Sequence, residues 1–340
     1  MNLLDLKSVL SKEFPDLGTC TELNPMTFDF NVNNSLYLYQ TNLGKFIVKE
    51  MYVASDFYGI KNASDRLELI SEVTKRLRNA GMPLESIKSA VGGKFLVTFK
   101  KNVLRVFDFF ESEGLNPAEP EQFRQMIFLS KRLHESPLEE FISSFPNLTS
   151  LLIAPYGVDV TLKHFNYLKE NLSKENDAFS VLKSNLSLVF KKGLSLSLWN
   201  LKIKPVLTHM DFHPRNVLWG KDKSALMIDM DYLRVGNPFV CLGLTLTRTL
   251  LYQKKEISTQ HILELRAEMY ENYSPQMDIK EFTSNLIRGS IFCEVEKILR
   301  NLYRYYKTGQ YRKFAEDVAT LHLPLFLDLL KIENDILKVS

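Results

Sequence analysis

The stretch His209-Met210-Asp211-Phe212-His213-Pro214-Arg215-Asn216, followed by Val217-Leu218-Trp219, gathers the residue types that phosphoryl transfer uses. That chemistry needs a carboxylate to accept the proton of the attacking hydroxyl and, a few residues on, an amide oxygen to hold a magnesium ion. Asp211 and Asn216 have those types at that spacing. Downstream, Leu226-Met227-Ile228 reads as a short buried strand ending in Asp229-Met230-Asp231, which sets carboxylates where a second metal ligand is required. The plain alternative is a polar loop whose Asp and Asn cap turns. The apolar runs on either side and the Ile-Asp-x-Asp that follows favour the chemical reading.

Such a site also needs a strand lysine on the nucleotide phosphates and a helix glutamate to hold that lysine. Phe46-Ile47-Val48-Lys49 supplies the lysine, on the second strand of a hairpin that turns at Asn42-Leu43-Gly44. Ser64-Asp65 can cap a helix whose Leu67, Ile70, Val73 and Leu77 share one face, with Gly81 and Pro83 ending it. Glu72 lies beside that stripe and is the expected partner of Lys49, with Glu68 one turn earlier left open. Strands over Lys94–Phe99 and Val103–Phe109 complete a small sheet. After Gly114 long amphipathic helices take over, at Pro120–His134, Thr161–Phe190, Ile257–Tyr273, Asp278–Tyr306 and Tyr311–Leu337, interrupted by β-rich Val206–Ile228. The pattern is an α+β enzyme of two lobes, residues 1–108 binding nucleotide and residues 109–340 carrying catalysis and the substrate.

Taken together, Phe46–Lys49, Glu72 through Gly81-Met82-Pro83, Ser130–His134, His209–Leu218 and Ile228–Pro238 resemble the aminoglycoside phosphotransferase and choline kinase superfamily, whose members share a protein-kinase-like fold. The resemblance implies Asp211 as catalytic base, Asn216 and Asp229 as magnesium ligands, Lys49 as phosphate contact and Glu72 as its ion-pair partner. His209 would brace the loop and His213 orient it; Asp231 would be a supporting or second-metal carboxylate, or purely structural. ATP would rest its adenine on the connector near Phe107 to Phe109, with Ile47, Leu218 and Ile228 as apolar walls. Two departures stand out. Phe28–Ser35 carries no glycine where relatives commonly turn over the phosphates, and Cys241 stands where an aspartate usually supports the catalytic loop. Tyr303, Tyr305 and Tyr306 would line a cation pocket or form an amphipathic helix surface.

Composition narrows the partners. A chain of 340 residues outgrows the roughly 250 to 300 at which single cores stop growing. Its 43 basic and 40 acidic side chains leave a net charge of +3 without long blocks of one sign, which argues against nucleic acid as partner and against a polycationic acceptor. Three scattered cysteines suggest neither disulfides nor zinc, and no apolar run reaches the roughly 20 residues that span a bilayer. The expectation is a cytoplasmic enzyme, monomer or homodimer, that uses ATP and Mg2+ to phosphorylate a hydroxyl of a small molecule: a sugar, an amino alcohol or an antibiotic-like acceptor. Two rivals remain, a catalytically inactive nucleotide-binding regulatory module and a protein kinase. The second lacks an Ala-Pro-Glu after Asp229 and a clear activation loop.

Overall fold

The computed structural model describes residues 3–26, 34–52, 63–113, 115–145, 158–172, 180–253, 258–309 and 312–338. Phe28 to Asn33 of the glycine-free stretch lie outside them. The chain divides into two compact units. The first takes in Met1–Gly114, Glu139–Leu152 and Val217–Asp231, and the second Leu115–Leu138, Ile153–Asn216 and Tyr232–Ser340.

In the first unit, β1 (Cys20–Met26), β2 (Asn34–Thr41), β3 (Gly44–Tyr52), β4 (Val97–Phe99) and β5 (Asn102–Asp108) form one antiparallel sheet in the order β1-β2-β3-β5-β4. Side chains alternate across a strand. Phe46, Val48, Leu104 and Val106 therefore face a core shared with Leu6 and Leu10 of helix Leu3–Glu13 and with Phe14 just after it. Ile47, Lys49, Arg105 and Phe107 occupy the alternate positions, and β3 sets Ile47 against Phe107 and Lys49 against Arg105. The expected hairpin turns at Asn42-Leu43 as written. β1 was not expected; it is an edge strand, the place where Pro25 costs no ladder hydrogen bond. Helix Ala63–Asn79 buries Leu67, Ile70, Val73 and Leu77 as its spacing predicts, although Ser64 and Asp65 lie in its first turn and not ahead of it. It ends through a left-handed Gly81 (φ 87°) and a bond from Met82 N–H to Leu77 O, 3.0 Å.

β7 (Val217–Trp219) and β8 (Ala225–Met227) pair with each other in this same unit, and Met227 continues onto the chain at Leu84. The second unit holds a separate pair, β6 (Val206–His209) with β9 (Leu233–Gly236). The single β-rich stretch expected over Val206–Ile228 is thus divided between two sheets.

The rest of the second unit is mainly helical, with Pro120–His134, Val158–Asn171, Ser180–Asn200, Pro238–Gln253, Thr259–Tyr273, Ile279–Thr308 and Leu323–Lys338, of which Pro120–His134 and Pro238–Gln253 pack on β6. The helix expected over Thr161–Phe190 corresponds to the second and third of these, with residues 173–179 outside the described ones. Helix Pro238–Gln253 was not anticipated; it is started by Asn237, whose Oδ1 accepts Phe239 N–H at 2.8 Å, and by Pro238 in its first position. It meets helix Ile279–Thr308 at Gly243 and Gly289, where an added Cβ would collide with the Ser290 and Phe239 backbones. Among the described residues no helix is long and apolar enough to cross a membrane.

Candidate active site

In the first unit Lys49, on β3, meets two carboxylates. Its Nζ lies 2.7 Å from Asp229 Oδ1 and 2.6 Å from Asp231 Oδ2. Burial alone would depress the lysine pKa, but the two aspartates outweigh it and raise it. Asp231 shows the converse: burial would raise it, yet Lys49 and Arg105 hold it well below the usual carboxylate range. Arg105, fully buried on β5, pairs through Nη1 with Asp231 Oδ1 and lies 4.9 Å over the Phe107 ring. Arg66, from helix Ala63–Asn79, donates to the Asp231 backbone oxygen at 2.7 Å.

Asp229 holds a left-handed backbone (φ 60°), uncommon outside glycine. Glu85 secures this turn, its carboxylate accepting Asp229 N–H at 3.2 Å and Met230 N–H at 3.1 Å. It reaches them because Pro83–Glu85 runs beside β8, with Met227 N–H on Pro83 O and Glu85 N–H on Met227 O, both 3.0 Å. Burial pushes the Glu85 carboxyl upward, against the opposing pull of Arg105 and Lys49.

The expected pairing of Lys49 with Glu72 is not formed. Glu72 has a half-exposed side chain and sits 3.4 Å from Arg76 one turn along its own helix, a spacing at which helical side chains naturally meet. The open alternative, Glu68, is engaged by Phe95 N–H at 2.8 Å and Leu96 N–H at 3.0 Å. Of the residues expected around the adenine, Ile47 of the apolar walls and Phe107 of the connector pack with Ile87 and Phe95. Leu218 pairs across from Leu226 on β7 and β8, and half-buried Ile228 directly precedes Asp229. Phe109 donates its N–H to Lys45 O at 3.2 Å and lies under the Lys45 ammonium at 5.7 Å.

In the second unit, buried His209 closes β6 and the loop folds back on it. Asp211 N–H donates to His209 Nδ1 at 3.2 Å and Phe212 N–H to His209 O at 3.2 Å. A 3-10 turn at Pro214–Asn216 brings the Asn216 side chain round, so that its Nδ2 donates to Asp211 O at 2.8 Å. That bond commits the amide nitrogen and turns Oδ1, a hard oxygen ligand, the other way. His213 accepts Arg215 N–H on Nδ1 at 3.2 Å and presents Nε2 3.6 Å from Asp211 Oδ2. Burial would raise the Asp211 pKa, but His213, Arg248 and His209 pull it below the ordinary value and keep it an ionised acceptor. Cys241, where an aspartate was expected, donates its thiol to His209 O at 3.5 Å and so supports the loop with a weak donor. Burial pushes that thiol up to about 12.

His134 packs edge-on against Tyr273, its Nδ1 2.8 Å from the Tyr273 hydroxyl, and burial lowers its pKa to about 3. Tyr303 stacks on His164 at 4.3 Å and carries Lys307 over its ring at 5.5 Å, so that face already holds a cation. Among the described residues no group of three or more His, Cys, Asp or Glu side chains could enclose a metal. The Asp229 carboxylate in the first unit and the Asn216 amide oxygen in the second are each hard donors of the kind magnesium takes, an ion commonly held by one or two protein ligands together with substrate phosphates.

Sequence reading missed Arg66, Glu85 and Arg105. Arg105 carried a signal, a charge inside the apolar run Val103–Phe107, which must find a partner if the strand is buried. Arg66 and Glu85 carried none.

A family model described as APH, the phosphotransferase enzyme family, matches residues 34–259. Among solved structures, a spectinomycin phosphotransferase in complex with ADP and spectinomycin aligns with TM-score 0.64 and 15% identity over 95% of this chain and 98% of its own. The GDP complex of wild-type aminoglycoside 2′-phosphotransferase IIIa gives 0.66 and 14% over 96% and 99%. A choline kinase from Cryptosporidium parvum gives 0.63 and 14% over 99% and 98%. By sequence, no curated protein matches the chain. At such identities the likeness carries the fold: α+β and kinase-like.

Proposed function

We propose that this chain, which belongs to the phosphotransferase enzyme family, moves the γ-phosphate of ATP, with magnesium, to a hydroxyl of a small molecule. The observation that carries the reading is the Lys49 ammonium held on Asp229 and Asp231 from one strand end, a cation beside two carboxylates that phosphates and a divalent ion would engage. Lys49 would contact the phosphates, and the Asp229 carboxylate and the Asn216 amide would each offer magnesium an oxygen. Bound magnesium supplies neutralisation of the charge that develops on the phosphate oxygens. Asp211, kept ionised, orients the acceptor hydroxyl and takes its proton as the oxygen bonds to phosphorus and the bond to ADP breaks. Little covalent help is asked of the protein; position and charge do the work.

The acceptor is a sugar, an amino alcohol or an antibiotic-like molecule, a range that spans what the aligned spectinomycin phosphotransferase and choline kinase are named for. The cation already lying over Tyr303 weighs against that ring as a choline site. The reading carries a cytoplasmic setting and a chain that acts as monomer or homodimer, with neither nucleic acid nor membrane as partner. Its test is a screen of hydroxyl-bearing metabolites for ATP-dependent ADP release, run beside Asp211→Ala. The expected result is turnover with at least one acceptor, lost in the variant while nucleotide affinity stays. Equal turnover by both proteins would remove Asp211 as the base.

A further inference from the structure

We infer that Asp231, not a helix glutamate, is the carboxylate that orients Lys49, and that Arg105 is the positioning residue that holds Asp231 for this task. The inference rests on the nucleotide-binding reading of Lys49. Asp231 divides its two oxygens, Oδ2 to Lys49 at 2.6 Å and Oδ1 to Arg105, and its backbone oxygen takes Arg66 at 2.7 Å. Asp229 reaches the same ammonium with Oδ1, yet its side chain is 28% exposed against 8% for Asp231. The more exposed carboxylate suits a metal-bound phosphate, and the enclosed one suits a fixed partner.

Helix Ala63–Asn79 brings an arginine to Asp231, while its Glu72 and Glu68 are engaged elsewhere. Arg105 stands directly across the sheet from Lys49, and so faces the same side. Its Nε and Nη2 find no acceptor among the described residues. A fully buried guanidinium with one carboxylate partner is a poor structural choice, since an apolar side chain of similar volume often serves stability as well or better. Its remaining polar contact is with Asp231, which gives that contact a reason beyond packing. Because Asp231 lies two positions after Asp229, the carboxylate that orients the phosphate contact and the one offered to the metal ride on one turn of chain.

The test measures affinity for ADP and for adenosine by calorimetry in the full-length protein. The ratio of the two isolates the phosphate contact, which a general loss of structure would not do. Asp231→Asn is expected to lower the ADP preference about ten- to a hundredfold, the equivalent of one charge-assisted hydrogen bond, with adenosine affinity kept. Arg105→Met should shift the ratio the same way. In a Lys49→Met background Asp231→Asn should change nothing more, because both act through one ammonium. Retained adenosine binding certifies that each variant is folded. An unchanged ratio in Asp231→Asn, an additive effect in the Lys49→Met background, or a loss caused by Glu72→Gln instead would overturn the inference alone. A wild-type protein without preference for ADP would remove the phosphate-binding reading and this inference with it.

Discussion

Replacing Glu85 by leucine takes the acceptor away from two backbone amides at the turn that carries Asp229. Met230 N–H is buried and would lose its 3.1 Å bond outright, while Asp229 N–H, part-buried, would recover some hydration. An unsatisfied buried donor costs about 1–3 kcal/mol. The left-handed backbone of Asp229 is strained with or without Glu85, so that cost cancels from the difference. Losing a buried carboxyl returns part of the loss, so the net expectation is about 1–3 kcal/mol of lost stability, read as a lower urea midpoint at unchanged slope. Glu85→Gln keeps one acceptor oxygen and should lose less. Its pH behaviour is also specified. Burial raises the Glu85 pKa above its unfolded value, so the native protein binds the extra proton and gains stability at low pH, stability that is lost as pH rises through the folded value. Glu85→Gln should remove that slope. A leucine variant within about 0.5 kcal/mol of wild type, below the cost of even one orphaned amide, would refute the role given to Glu85.

Gly289→Ala should destabilise by about 1–3 kcal/mol in urea unfolding, since its Cβ would collide with Phe239 O; helix propensity alone would favour alanine by about 1 kcal/mol, so the sign of the result decides. A thiol reagent at pH 8 should find none of the three cysteines reactive in the native protein and all three after denaturation, because all are buried and the Cys241 pKa is pushed up to about 12. Early reaction of Cys241 would contradict the support it gives His209. For His134, burial lowers the folded pKa to about 3 from the ordinary 6.5, so the unfolded chain takes the proton first and stability falls as pH drops from about 6.5 towards 3. Between pH 7 and pH 5 the wild type should lose about 2 kcal/mol more than His134→Gln, and parallel curves would remove the effect.

Local pattern located the hairpin, the strand that carries Lys49 and the loop that carries Asp211 and Asn216, because each is set by neighbours close in the chain. Helix Pro238–Gln253 escaped for a physical reason: its positions are buried all round from Phe239 to Thr247, so no polar face marks its period. Strand Cys20–Met26 escaped for the opposite one, an edge strand mostly exposed and interrupted by Pro25. The partner of Lys49 was misread because a helix stripe fixes which face is buried and not which neighbour a flanking glutamate finds; Glu72 found Arg76 in its own helix. Arg105 and Glu85 act on residues 126 to 145 positions away, a distance over which composition and periodicity carry no signal.

Calorimetric titration of ATP in the presence of magnesium, on wild type and Asp229→Asn, bears most directly on whether this chain holds a metal-bound triphosphate. Binding by the wild type, weakened about ten- to a hundredfold in the variant and insensitive to it when magnesium is withheld, is the predicted result. No binding by the wild type, or equal affinity in both proteins with magnesium present, would contradict it.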